Sequence, residues 1–98
     1  MTYTTKKDGN TLEIVVTGRL DTVSAPDLEK ALMPLPEGVN TLVYDFGKLD
    51  YISSAGLRVM LGLHRSLPMG GKTKVTNCNS VIKEVFSVTG FEGIMEIS

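Results

Sequence analysis

Two hydrophobic periods alternate along this chain, and that alternation leaves few folds open. In residues 11–18, Leu12, Ile14 and Val16 share one face while Glu13, Val15 and Thr17 share the other. This is the period of a strand with one buried side. Residues 54–67 instead place Leu57, Met60, Leu61, Leu63, His64 and Leu67 on one broad face. Arg58, Gly62, Arg65 and Ser66 fall opposite, which is helical spacing. The rest of the chain sorts the same way. Thr2–Lys7 reads as a strand joined to Thr11–Gly18 through Asp8-Gly9, a tight-turn dipeptide, so the chain opens on a hairpin. Gly18–Val23 is a connection. Ser24 then stands at a helix N-cap, with Pro26 in the first turn and Asp27 near the capping-box position. Leu28, Ala31, Leu32 and Leu35 form the stripe this helix buries, and Pro34 and Pro36 stop it.

Val39–Phe46 reads as a central strand, Gly47–Asp50 as a turn, and Tyr51 and Ile52 as the approach to the second helix. Pro68 to Gly71 break that helix, and Lys72–Thr76 is a short strand. Asn79 or Ser80 caps a third helix with Val81, Ile82, Val85, Phe86 and Thr89 inward and Lys83, Glu84 and Ser87 outward. Gly90 is a natural C-cap onto which Phe91 can fold back, and Ile94–Ile97 is a last strand. The order β-β-α-β-α-β-α-β demands an α/β fold: a mixed sheet whose parallel pairs are joined by right-handed crossovers.

With 98 residues the chain reads as one domain over 1–98, long enough for a single core without staples. A formal net charge of −1 supplies no basic field for nucleic acid or anionic lipid. The lone Cys78 cannot form an internal disulfide and fits a reducing compartment, most simply the cytoplasm. It reads as an inert thiol, since nothing basic clusters near it. Neither a signal-peptide pattern nor an apolar run long enough to span a membrane is visible.

Catalysis finds little to work with. The only histidine, His64, is ten residues from Ser54 on the same helix, about 15 Å of rise, so it cannot be that serine's base. Its place inside the apolar arc reads as a packed, hydrogen-bonded residue. One Cys and one His make no metal cluster. Gly71-Lys72-Thr73 lacks the upstream glycine of a phosphate loop. The expectation is a binding protein that is not an enzyme and needs no cofactor.

Attention therefore falls on Tyr51-Ile52-Ser53-Ser54-Ala55-Gly56-Leu57-Arg58. Ser53 or Ser54 sits at the cap of the second helix, where unpaired backbone N–H groups and the helix dipole favour negative charge. A hydroxyl here is exposed, Ala55 and Gly56 leave room around it, and a phosphate would be tolerated by the helix and visible to a partner. Arg58, one turn on, can meet a phosphate or a partner's acid. Asp21 is either a solvated loop acid or part of the same surface. Asp45 is either an acceptor for loop N–H groups or an acid near the serine.

The run Ser53-Ser54-Ala55-Gly56-Leu57, with Gly18-Arg19-Leu20-Asp21 upstream and the segment order, resembles the STAS family, and within it the bacterial anti-sigma factor antagonists. The resemblance covers most of the chain. It implies a STAS-like domain with its three main helices largely on one face of the sheet. It implies a phosphoacceptor at Ser54, with Ser53, which replaces the family's frequent Asp, as the alternative. It also implies a partner surface of Asp21, Thr22, Ser24, Tyr51, Ile52, Ser53, Ala55, Gly56, Leu57 and Arg58. The implied partners are an anti-sigma factor with serine kinase activity and a serine phosphatase. ATP and Mg belong to the kinase. A constitutive docking module or a small-ligand-binding domain is the alternative.

Overall fold

The computed structural model describes residues 1–98. A five-stranded sheet in sequential order is built from β1 (Thr2–Asp8), β2 (Thr11–Leu20), β3 (Thr41–Ile52), β4 (Lys72–Thr76) and β5 (Glu96–Ile97). The opening hairpin β1–β2 is antiparallel, and every later pair is parallel. The crossovers are α1 (Ala25–Leu32), α2 (Ser54–Arg65) and α3 (Ser80–Thr89). A short 3-10 turn, Phe91–Gly93, precedes β5.

All three helices cover the same side of the sheet. Leu12, Ile14 and Val16 of β2, Leu42, Tyr44 and Phe46 of β3, and Thr73 and Val75 of β4 are buried, and the residues alternating with them are not. Leu28 and Leu32 of α1, Leu57, Met60 and Leu63 of α2, and Ile82 and Phe86 of α3 close one core over that face. Phe86 stacks on Phe46, with ring centroids 6.4 Å apart. The Tyr44 hydroxyl is the one buried side-chain polar atom without a hydrogen-bond partner. Burial raises its pKa, and leaving it unpaired costs about 1–3 kcal/mol against the packing gained by the ring.

The main departure from the sequence reading is in β3. The expected turn Gly47–Asp50 is strand, and β2 runs on past Gly18 to Leu20. Val15 pairs with Asp45 but Thr17 with Lys48, and Gly18 pairs with Leu49 but Arg19 with Tyr51. Each shift puts one extra residue into β3, so two bulges replace the turn. The burial pattern records them. Leu42, Tyr44 and Phe46 repeat every second residue, then Leu49 and Ile52 every third. The first bulge is held by Asp45, whose Oδ1 accepts from Gly47 N–H at 2.9 Å and from Asn77 Nδ2–H at 3.1 Å. Asp45 is thus the structural acceptor of the two readings offered. Those bonds hold its carboxyl below the usual range, chiefly the one from the Gly47 amide.

Smaller corrections follow from packing. In α1, Ala25 is buried and Ala31 is exposed, because the helix meets the core along positions 25, 28 and 32. The helix ends one residue before Met33, which is extended as a residue before proline must be. In α2, Val59 is buried, while Leu61, His64 and Leu67 are only half-buried, and the helix stops at Arg65. In α3, Asn79 is the cap, accepting from Ile82 N–H at 2.9 Å. Val81 and Thr89 are exposed, since only Ile82 and Phe86 point squarely at the sheet. Gly90 ends α3 in the left-handed conformation with φ 80°, and Phe91 returns onto Phe86 at 6.0 Å. The last strand is shorter than expected, and Ile94 lies outside it, exposed. His64 Nδ1 is 2.7 Å from Thr73 Oγ1, the satisfied polar contact its position suggested. Cys78 is half-buried, and burial pushes its thiol up to about 11.

Candidate functional site

Two helix starts meet at the C-terminal ends of β2 and β3. They are tied together by Ser53 N–H donating to Leu20 O at 2.9 Å. At the start of α2, Ser53 has the extended backbone of an N-cap (φ −99°, ψ 174°). Its Oγ faces Gly56 N–H at 3.4 Å, and its carbonyl takes Leu57 N–H at 3.0 Å. Ser53 is half-buried as it does so. Ser54 is the first helical residue; it is exposed, and its hydroxyl caps nothing. The two serines that the sequence left interchangeable therefore have separate jobs.

The start of α1 is built differently. Ser24 was expected to cap this helix, but its backbone is already helical (φ −87°, ψ −25°) and its side chain makes no cap bond. A capping residue needs extended backbone to aim its oxygen at the helix amides. The Ser24 hydroxyl turns back instead. It lies 2.7 Å from Arg19 O, to which it donates, and accepts Asp21 N–H at 2.9 Å. Asp21 completes the turn. Its Oδ1 accepts Val23 N–H and Ser24 N–H, each at 3.0 Å, and its main-chain oxygen takes Ala25 N–H at 2.8 Å. The bond from the Ser24 amide is the main reason its carboxyl is held below the usual range. Asp21 is neither a free surface acid nor a loose one: it folds the loop.

Of the expected surface residues, Thr22, Tyr51, Ser54 and Arg58 are exposed, and Asp21, Ser24, Ser53 and Ala55 are half-buried. Ile52, Gly56 and Leu57 are buried, which corrects their place on the surface. Gly56 leaves no open room around the serine. A Cβ there would lie 2.9 Å from Leu20 Cγ and 3.0 Å from both Ile52 Cγ1 and Leu20 O. The missing side chain lets α2 start hard against the strand ends. Leu57 and Ile52 fill the core behind it and brace the surface without forming it.

Two residues at this rim lie in segments that the sequence marked but were given no role of their own there. Val23 is 81% exposed at the loop tip. The Arg19 guanidinium lies 4.2 Å from the centroid of the Tyr51 ring, and its Nε is 3.7 Å from Asp21 Oδ2. An unexplained apolar loop residue was visible in the sequence, but the Arg19–Tyr51 pair depends on a register that only the second bulge creates. Beside Ser54, a groove of about 200 Å³ runs between α1 and α2, lined by Ala25, Pro26, Glu29, Ala55, Arg58 and Val59. A larger hollow, about 450 Å³, lies on the uncovered sheet face around Asp45, Lys48 and Asn77. No group of three or more His, Cys, Asp or Glu residues is placed to hold a metal ion, and no helix is long and apolar enough to cross a membrane.

Comparison with known proteins places the chain as a whole. The family model for the STAS domain matches residues 2–98. The anti-sigma-B factor antagonist of Bacillus subtilis is 31% identical over 94 residues, covering 95% of this chain and 86% of that one. Among solved structures, the anti-sigma factor antagonist SpoIIAA in its unphosphorylated form matches with a TM-score of 0.86 at 22% identity, covering 99% of this chain and 88% of that one. The Bacillus cell fate determinant SpoIIAA in its phosphorylated form matches at 0.77 and 22%, covering 99% and 91%. The likeness in fold, the family match and the shared sequence agree: this chain belongs to the STAS domain family, among the anti-sigma factor antagonists.

Proposed function

We propose that this chain is a phosphorylation-switched binding protein. Unphosphorylated, it captures an anti-sigma factor and so frees a sigma factor for transcription. The anti-sigma factor, acting as a serine kinase with its own Mg-ATP, phosphorylates Ser54 and ends the complex. A serine phosphatase resets it. The chain's own part is presentation and charge, without catalysis.

The observation that carries this reading is the division of labour at the start of α2. Ser53 is spent on the cap, and Ser54 is exposed beside it with its hydroxyl uncommitted. A phosphate on Ser54 would add about −1.5 to −2 charges next to the unpaired first amides of the helix, where the fold tolerates it. Each unit of that charge facing an acid of a bound partner at ~4–5 Å would cost on the order of 4 kcal/mol at an effective dielectric of 20. That is roughly a thousandfold in affinity. The switch needs no refolding. The likeness to both the unphosphorylated and the phosphorylated form of SpoIIAA is in keeping with this.

The test is to incubate the chain with a candidate anti-sigma kinase and Mg-ATP, then map the phosphate and measure binding. Ser54→Ala should bind and resist modification, Ser54→Asp should fold normally and lose binding, and Ser53→Ala should still be modified. A phosphate on Ser53, or Ser54→Asp binding as well as wild type, would sink the assignment.

A further inference from the structure

We propose that Arg19 and Tyr51 form a pre-assembled anchor that carries the partner's footprint beyond the start of α2. The footprint would run over the strand ends onto the uncovered face of the sheet. The anchor would take an acidic side chain of the partner flanked by an apolar one. This inference rests on the partner-binding reading above and adds to it where the partner grips and with what chemistry.

Register is the first ground. Without the second bulge of β3, Arg19 would lie opposite Asp50. The extra residue moves Asp50 out of the pairing and puts Tyr51 there instead. Bulges commonly re-aim a side chain next to a functional site. The chain has thus exchanged a cross-strand ion pair, which would have neutralised Arg19, for a cation–π contact that leaves the charge available.

Pre-organisation is the second. The guanidinium is held from below by the Tyr51 ring at 4.2 Å and from one side by Asp21 Oδ2 at 3.7 Å. Asp21 is in turn immobilised by the amides of Val23 and Ser24. The Nε–Asp21 contact is too long for a hydrogen bond, so the guanidinium keeps its donors for another acceptor, and the side chain is 61% exposed. A side chain already fixed loses little entropy on binding. Arginine and tyrosine are also the residue types in which binding energy concentrates.

The surroundings supply the third. Tyr51 beneath Arg19 and Val23 at the tip of the loop that Asp21 folds both expose apolar surface, and Arg58, in neither of the chain's two ion pairs, stands exposed in the first turn of α2. The only acid turned toward the anchor by an ion pair, Asp21, already has its carboxylate engaged. The rim is a cationic spot beside apolar ones, and its complement is a carboxylate beside an aliphatic or aromatic side chain.

The experiment measures binding of the unphosphorylated chain to the serine-kinase anti-sigma factor that phosphorylates wild type, by calorimetry. Arg19→Ala and Tyr51→Ala should each weaken binding at least tenfold, and the double variant little more than either, because the two act as a unit. Arg19→Lys should lose most of the affinity, since an ammonium lacks the planar stack. Tyr3→Ala is the matched control: Tyr3 is as exposed as Tyr51 (41%) but lies on β1, and its loss should change affinity less than threefold. An Arg19→Glu variant should regain binding with a partner acid changed to arginine. Chemical denaturation of every variant separates lost binding from lost fold. If wild type binds and Arg19→Ala and Tyr51→Ala, both folded, bind within threefold of it, the anchor is wrong while the switch stands. If wild type neither binds nor is modified, the functional reading itself falls and takes the anchor with it.

Discussion

The two helix starts at the ends of β2 and β3 look alike as sequence and behave differently as structure. Each offers a serine just before an apolar periodic run. At α2 the serine is extended and its oxygen faces the helix amides. At α1 it is already helical and its oxygen points backward, to Arg19 and Asp21. One serine serves the helix that follows it; the other serves the strand end before it. The reason is what precedes each. Ser53 leaves a strand directly, so its backbone arrives extended. Ser24 follows an Asp21-centred turn that bends the chain before the helix begins.

The comparison can be broken most forcefully at Gly56. Gly56→Val forces a side chain into contacts already at 2.9–3.0 Å from Leu20 and Ile52. It should destabilise the fold by about 2–3 kcal/mol in urea denaturation, unless α2 can slide off the strand ends. A loss below ~0.5 kcal/mol, with α2 unmoved by NMR, would mean the close approach is not required. Ser24→Ala removes the acceptor of Asp21 N–H and a donor to Arg19 O, and should cost about 1–2 kcal/mol, more than its counterpart at α2. Gly62→Ala, later in α2, has nothing within 4 Å of the new methyl group. It should stabilise by roughly 0.5–1 kcal/mol, the opposite sign to Gly56 in the same helix. Ser53→Ala should cost only about 0.5 kcal/mol, the low end for a cap, because its bond to Gly56 is long at 3.4 Å. If Ser53→Ala proved costlier than Ser24→Ala, the assignment of the two serines would be reversed.

The smallest effect is in pH. Asp21 has its carboxyl held low in the folded state chiefly by the amide of Ser24, with that of Val23 adding to it. A folded pKa below the unfolded one contributes stability that is fully present above the unfolded value of about 3.9 and is lost as pH falls through the folded value. Asp21→Asn should therefore be less stable than wild type near neutrality, and the gap should close as the solution is acidified below about pH 4. A gap constant from pH 7 to pH 2.5 would show that the charge plays no part in holding the loop.

Much of the fold was legible because the signals are local. The face of β2, the turn at Asp8-Gly9, the Gly90 C-cap and the order of elements each follow from a few adjacent residues. The candidate site was legible in outline: a serine cap at the start of α2, the exposure of Ser54, and the nearness of Asp21's loop. It was not legible in detail. Gly47 and Asp50 look like turn residues and are bulge residues. Gly56, Ile52 and Leu57 sit in a motif that reads as surface and are buried. Arg19 stands in the Gly18–Asp21 run that carries the resemblance, but its pairing with Tyr51 could not be read until the register was known.

By itself the sequence determined the period of each segment, and with it which elements form, in what order, and which face each turns inward. Those are properties of a backbone repeating every two or every 3.6 residues, and they need no knowledge of distant neighbours. Only the tertiary structure decided the register of β2 against β3, which serine spends its oxygen on a cap, and which side chains reach the rim. Register is a property of two strands at once. An inserted residue is absorbed wherever partners such as Asp45 and Asn77 can pay for the disrupted ladder, and those partners lie 32 residues apart in the chain.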